Sequence, residues 1–216
     1  LRIMRQKSRE IFAALLDDLV VGLDADLARA LAEALGVDVH FVIMGYDSLY
    51  DALDIGRVDA LLSALRVDPD RMDEVRYTRH YFNAGQVLVP RKGATLGGTA
   101  ALEGRTVAVE FGSDGDVWAR RWQRRLSELG VQPYSAPTAA LDALARGEVD
   151  AAIVDAISAR AYLQTSADVV IIEPVTDDLY AVATRLESAR LWRALDEVLA
   201  DIIADGRLEA LIARWL

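Results

Sequence analysis

Arg71 closes the tetrapeptide Asp68-Pro69-Asp70-Arg71. This pattern predicts a helix start, with Asp68 as N-cap and Pro69 at the first helical position. A cation in the first helical turn lies against the positive end of the helix dipole, which favours a functional reason for Arg71 over a solvated surface arginine. Its planar guanidinium suits bidentate capture of a carboxylate. Asp155 ends the apolar run Val149–Val154. Side chains at the ends of buried strands point into the clefts of α/β lobes, so this carboxylate suits a ligand ammonium. It also suits the N-cap of a helix expected from Ile157, and one residue can do both. Ser113-Asp114-Gly115 forms a turn before another expected helix. Free backbone N–H groups there hold an anion. Asp114 is either that helix's N-cap or a carboxylate that repels a ligand anion.

Other chemistries lack their residues. The chain has no cysteine and only two histidines, His40 and His80. This excludes disulfide scaffolds, cysteine zinc sites and a thiol nucleophile, and nearly excludes an all-histidine zinc site. No Gly-x-Ser-x-Gly or P-loop pattern is present. The 216 residues carry 34 acidic and 24 basic side chains, a formal net charge of −10. That balance argues against a nucleic-acid partner, which needs clustered Lys and Arg. Hydrophobic residues make up 53%, enough for a buried core. No apolar run approaches the ~18 residues of a membrane span. The start at Leu1, without Met, suggests that a targeting segment has been removed.

The elements that must position these residues follow from periodicity. Leu27 to Leu35 is apolar at helical spacing and Gly36 is its stop signal. Strands are expected at 37–43, 58–62, 86–89, 106–110, 149–154 and 169–172. Helices are expected at 48–53, 116–129, 139–145, 157–163, 191–203 and 207–216. Strands alternate with helices twice over, which predicts two α/β lobes. Ala52-Leu53-Asp54-Ile55-Gly56-Arg57-Val58-Asp59-Ala60 echoes Ala143-Leu144-Ala145-Arg146-Gly147-Glu148-Val149-Asp150-Ala151. Both read as helix end, glycine turn and buried strand, one structural unit used once per lobe.

Further segments carry a family resemblance. They are Gly22-Leu23-Asp24-Ala25-Asp26-Leu27, Tyr46-Asp47-Ser48-Leu49, Val58-Asp59-Ala60, Asp68-Pro69-Asp70-Arg71 and Tyr77-Thr78-Arg79-His80-Tyr81. Leu102-Glu103-Gly104-Arg105, Gly112-Ser113-Asp114-Gly115-Asp116, Val149 to Asp155, and Ala204-Asp205-Gly206 followed by Trp215 complete the series. In this order they resemble the bacterial solute-binding proteins of polar amino acid transporters, family 3, of the periplasmic-binding-protein type 2 fold.

The resemblance implies an α/β fold of two lobes, each a mixed sheet flanked by helices, joined by two crossing hinge strands. Lobe one would be 1–87 plus 184–216 and lobe two 88–183. A small polar ligand would lie between them and be handed to an ABC transporter permease by a periplasmic or extracellular monomer, with no cofactor or metal. Carried over residue by residue, it implies Arg71 for the ligand carboxylate, Asp155 for the ammonium and Ser113, Asp114 and Gly115 as a lobe-two anion turn. Tyr46 would be an aromatic wall, and Phe12 matches the Phe of a Pro-Phe segment whose proline is replaced by Ile11. Arg66 stands where the family usually has a Thr, and Arg5 to Glu10 replaces a Gly-, Pro- and aromatic-rich stretch with one that is free of helix breakers. Arg66 and Arg9 facing the cleft would favour an acidic amino acid or a dicarboxylate. Alternatively, Arg66 pairs with Asp114 and the standard mode is lost. Two other uses of the fold are a ligand-sensing domain of a membrane receptor or kinase, and a cyclohexadienyl-dehydratase-like enzyme with Glu173 as its acid.

Overall fold

The computed structural model describes residues 2–5, 14–16 and 19–216. They divide into two compact units, one ending at Phe82 and resuming at Leu179–Leu216, the other Asn83–Asp178. The chain therefore passes between units after Phe82 and after Asp178, a few residues ahead of the expected 87 and 183. The shift has a simple origin. Val87 is already a paired strand residue of the second unit, and Leu179 starts a strand of the first.

The first unit contains β1 (Arg2–Arg5), the hairpin β2 (Ala14–Leu16) and β3 (Leu19–Val21), α1 (Leu23–Leu35), β4 (His40–Ile43), α2 (Leu49–Asp54), β5 (Ala60–Leu61) and β6 (Val75–Asn83). The second contains β7 (Gln86–Pro90), β8 (Thr106–Glu110), α3 (Asp114–Gln123), β9 (Gly130–Tyr134), α4 (Pro137–Ala145), β10 (Ala151–Asp155), α5 (Ala156–Leu163) and β11 (Glu173–Pro174). The returning chain adds β12 (Leu179–Arg185), α6 (Ala189–Ala204) and α7 (Arg207–Trp215) to the first unit. The sheet orders are β4-β1-β5-β12-β6 and β11-β7-β10-β8-β9. Each sheet also has an antiparallel pair: β12, where the chain returns, against β5 in the first, and β7, where the chain enters, against β10 in the second.

In α1, Leu23, Leu27 and Leu31 repeat at helical spacing and are fully buried. Gly36 ends the helix in the left-handed region at φ 65°, which an L side chain resists. In the second sheet, β8 and β10 bury both faces. Ala108, Ala152 and Val154 pack with Leu141 and Leu144 of α4. Val107, Val109 and Ile153 pack on the other side with Ala119 of α3.

Several expected elements have different bounds. The strand expected from Val37 starts at His40, and Val37 is exposed. The strand expected over 58–62 pairs only at Ala60–Leu61. The α3 helix stops at Gln123, not 129. Arg125 and Leu126 both donate to Trp122 O, and Glu128 adopts φ 60°, so the last apolar residues lie in turns. Val169–Ile172 is not a regular strand. Val170 N and Ile172 N nevertheless bond Pro90 O and Leu88 O along the edge of β7. Arg5 lies in β1, not a helix, and residues 6–10 lie outside the described ones.

The repeated segment has one construction in both units. Gly56 (φ 72°) and Gly147 (φ 80°) turn the chain back from helix to strand. Arg185 Nη1 donates to Leu53 O (3.1 Å) and Val58 O (2.9 Å), holding the first loop closed. Arg91 Nη1 does the same to Leu144 O (3.4 Å) and Val149 O (3.5 Å) in the second.

Candidate functional site

In the first unit, Asp24 is 2% exposed. Its carboxylate accepts hydrogen bonds from Ala64 N (2.6 Å) and Tyr81 Oη (2.7 Å). These contacts hold Ala64 at φ 46°, a strained conformation for a residue with a Cβ. Leu65 O then accepts from Ala181 N (3.0 Å) and Leu179 O from Val67 N (2.8 Å), stitching the segment to β12. The main chain that presents Arg66 is thus fixed from two sides.

Arg66, Asp68 and Arg71 line a cavity of about 560 Å³ with Tyr46 and Tyr50. Arg71 and Tyr50 also line a second cavity of about 490 Å³, to which Asp73 and Glu74 contribute. The expected helix at Asp68 is a single 3-10 turn, Pro69–Arg71, with the Asp68 side chain accepting from Asp70 N as its cap. This turn is too short for a substantial dipole, so the dipole argument that favoured a functional role for Arg71 falls away. Arg71 is held by other means. Its Nη1 donates to Glu74 Oε2 (2.7 Å), and its Nε lies 3.6 Å from Asp68 Oδ2. Its guanidinium carbon stands 4.2 Å from the Tyr50 ring centroid.

Tyr50 and Tyr77 share a 2.9 Å hydrogen bond between their hydroxyls. Burial is the main cause that pushes both phenols up, so both stay neutral at physiological pH. Tyr46, at the start of a 3-10 turn, is 47% exposed. The sequence reading missed Tyr50, Glu74 and Tyr77. Helical spacing from Tyr46 to Tyr50, and i to i+3 spacing from Arg71 to Glu74, are the signals that would have found the first two.

In the second unit, Ser113, not Asp114, is the N-cap of α3. Its Oγ accepts from Asp116 N (3.2 Å) and donates to Glu110 O (2.8 Å). Asp114 is the first helical residue, with its side chain exposed. Gly115 fits where no side chain would. An added Cβ would fall 2.6 Å from Gln86 Oε1 and 2.9 Å from the carbonyl of Ile153. Gln86 pairs with Asp155 across β7 and β10, and its Oε1 is buried with no hydrogen-bond partner among the described residues. Asp155 Oδ1 caps α5 by accepting from Ser158 N (2.9 Å). Glu173 accepts from Thr99 N and lies against Gly98, tying the 98–101 turn to β11. Arg9 and Phe12 lie outside the described residues. No group of three or more potential metal ligands occurs among the described residues.

Two α/β units linked by two chain crossings, one of them with an arginine held at the rim of a cavity, are the architecture of a solute-binding protein. A model of "Bacterial extracellular solute-binding proteins, family 3" matches residues 7–216, and the chain belongs to this family. It is 28% identical over 202 residues to ABC transporter arginine-binding protein 1 of Escherichia coli (strain K12), covering 91% of this chain and 82% of that protein. A mutant of ArgBP from T. maritima is 30% identical, with a TM-score of 0.58 and coverage of 100% of this chain and 94% of that one. An ancestral cyclohexadienyl dehydratase shares the fold at a TM-score of 0.83 with 20% identity, covering 100% and 91% of the two chains.

Proposed function

We propose that this chain captures a free amino acid outside the cytoplasm and delivers it to an ABC transporter permease. Arg71 takes the α-carboxylate with Tyr46 as a wall on the first unit, and Asp155 is the candidate group for an ammonium on the second. The observation that carries this reading is the state of Arg71. Its guanidinium is held over Tyr50 and bonded at Nη1, while Nε and Nη2 make no hydrogen bond among the described residues. Two adjacent donors without a hydrogen bond form the edge that binds a carboxylate bidentately, with Asp68 Oδ2 ion-paired to Nε at 3.6 Å beside it. Asp155 uses only Oδ1 for capping, which leaves Oδ2 as an acceptor.

The favoured ligand side chain is cationic, such as that of arginine. The named Escherichia coli relative binds arginine, and Glu110 and Asp114 flank the α3 turn without ion pairs among the described residues. The acidic ligand suggested by Arg66 and Arg9 has less support, because Arg9 lies outside the described residues and the named relative binds arginine. A dehydratase role draws no support from Glu173, whose carboxylate is used to hold a turn.

Thermal-shift screening tests the proposal. A ligand at ~100 times its Kd adds about 2.7 kcal/mol. L-Arginine or L-lysine is expected to raise Tm more than L-glutamate, and Arg71→Ala to remove the shift. A response to glutamate alone would overturn the cationic assignment, and no response to any amino acid would overturn capture itself.

A further inference from the structure

We infer that Glu74 and Tyr50 are positioning residues that orient Arg71, presenting its Nε–Nη2 edge to a ligand carboxylate. This inference rests on the reading of Arg71 as the carboxylate group.

An arginine side chain free in solvent samples many rotamers, and fixing it on binding costs free energy. Here two contacts fix it beforehand, and they constrain different motions. The cation–π contact with Tyr50, 4.2 Å from the ring centroid, holds the guanidinium carbon over the ring. The 2.7 Å bond from Nη1 to Glu74 Oε2 sets its rotation there. Tyr50 is itself anchored through Tyr77, since the two hydroxyls are 2.9 Å apart.

The bond to Glu74 consumes one end of the fork and leaves the other. Nε and Nη2 lie on the opposite edge, where the nearest anion is Asp68 Oδ2, 3.6 Å from Nε and beyond hydrogen-bond distance. Asp68 caps Asp70 N through Oδ1 at 3.1 Å, which leaves Oδ2 as the oxygen beside Nε. Of these two cavities, Glu74 lines the one that contains Asp73, and Asp68 the one that contains Tyr46 and Arg66. Arg71 is thus hydrogen-bonded from one cavity, while its Nε–Nη2 edge, ion-paired to Asp68 at Nε, lies on the side of the other. A carboxylate arriving in the Tyr46 cavity completes the fork by taking the place of Asp68 Oδ2 at Nε, without displacing Glu74.

The side chains of Arg71 and Glu74 are 40% and 56% exposed, so the effect of the pair is modest. Glu74→Gln is therefore expected to weaken L-arginine binding by about three- to five-fold. Binding of L-argininamide, which lacks the carboxylate, is expected to stay unchanged, as is the Tm of the free protein. Side-chain ¹⁵N NMR of Arg71, assigned by comparison with Arg71→Lys, reads the clamp without any ligand. Rotation about Nε–Cζ is expected to be slow in the wild type and averaged in Glu74→Gln. Equal or tighter arginine binding in Glu74→Gln, equal weakening for both ligands, or Arg71 dynamics that do not change would overturn the positioning role. Arginine binding untouched by Arg71→Ala, or absent from the wild type, would overturn the underlying assignment instead. In that case the NMR comparison still decides whether Glu74 holds Arg71.

Discussion

Asp24 shows how one side chain sets up a site it does not enter. Its carboxylate is buried and accepts two hydrogen bonds, from Ala64 N and Tyr81 Oη. Removing it leaves two buried donors unpaired and releases the strained Ala64. Asp24→Ala is therefore expected to cost about 2–4 kcal/mol, seen as a lower urea midpoint at unchanged slope. A midpoint within error of wild type would show that the carboxylate carries no such load. The sequence placed Asp24 in a family signature, but its partner lies 40 positions away, and no local pattern reveals a contact of that range. The same holds for Arg71. Its residue type and motif were legible, whereas its clamp depends on Tyr50, brought in by a separate helix. Asp114 illustrates the opposite case. Two neighbouring residues were both eligible as N-cap, and only backbone geometry selects Ser113.

Among the elements, helices were read well because a long amphipathic period fixes their faces. In the second sheet β7, β8 and β10 were recovered, while β9 there and β6 and β12 of the first sheet were not. β12 is buried along almost its whole length, so it lacks the alternation that marks a half-exposed strand. β9 contains Pro133, which suggests a break, yet it lies at a sheet edge where a missing N–H is tolerated. The docking of α6 on β6 gives a pH-dependent prediction. Arg79 binds Asp196 through Nε (3.2 Å), Nη2 (2.8 Å) and its backbone N–H (2.6 Å). The Arg79 side chain is the main cause that holds the Asp196 carboxyl below the ordinary aspartate value of 3.8. A depressed folded-state pKa gives stability that is present above the unfolded value and lost as pH falls through the folded one. Asp196→Asn is thus expected to lower Tm at pH 7 and to flatten its fall below about pH 4. The gain is modest because Arg79 is 44% exposed. An acid limb as steep as in the wild type would assign the acid sensitivity to other carboxylates.

For the whole molecule, the discontinuous first unit and the inserted second unit follow from the order of elements and the returning β12. The repeated loop, with Arg185 and Arg91 in equivalent roles, marks the same construction in both units. The segment pair that echoes in sequence was legible, but the arginines that close it come from other strands and were not. Function was legible at the level of family, from motifs spread along the chain. The ligand's side chain was not, because a basic residue in a motif does not say what its side chain faces, and Arg9 lies outside the described residues. The central claim is capture of an amino acid through the Arg71 guanidinium. Isothermal titration of the wild type and Arg71→Ala with L-arginine tests it most directly. We expect saturable one-to-one binding in the wild type and its loss in Arg71→Ala, with the variant's unfolding midpoint preserved. Equal affinity in both proteins would contradict the account.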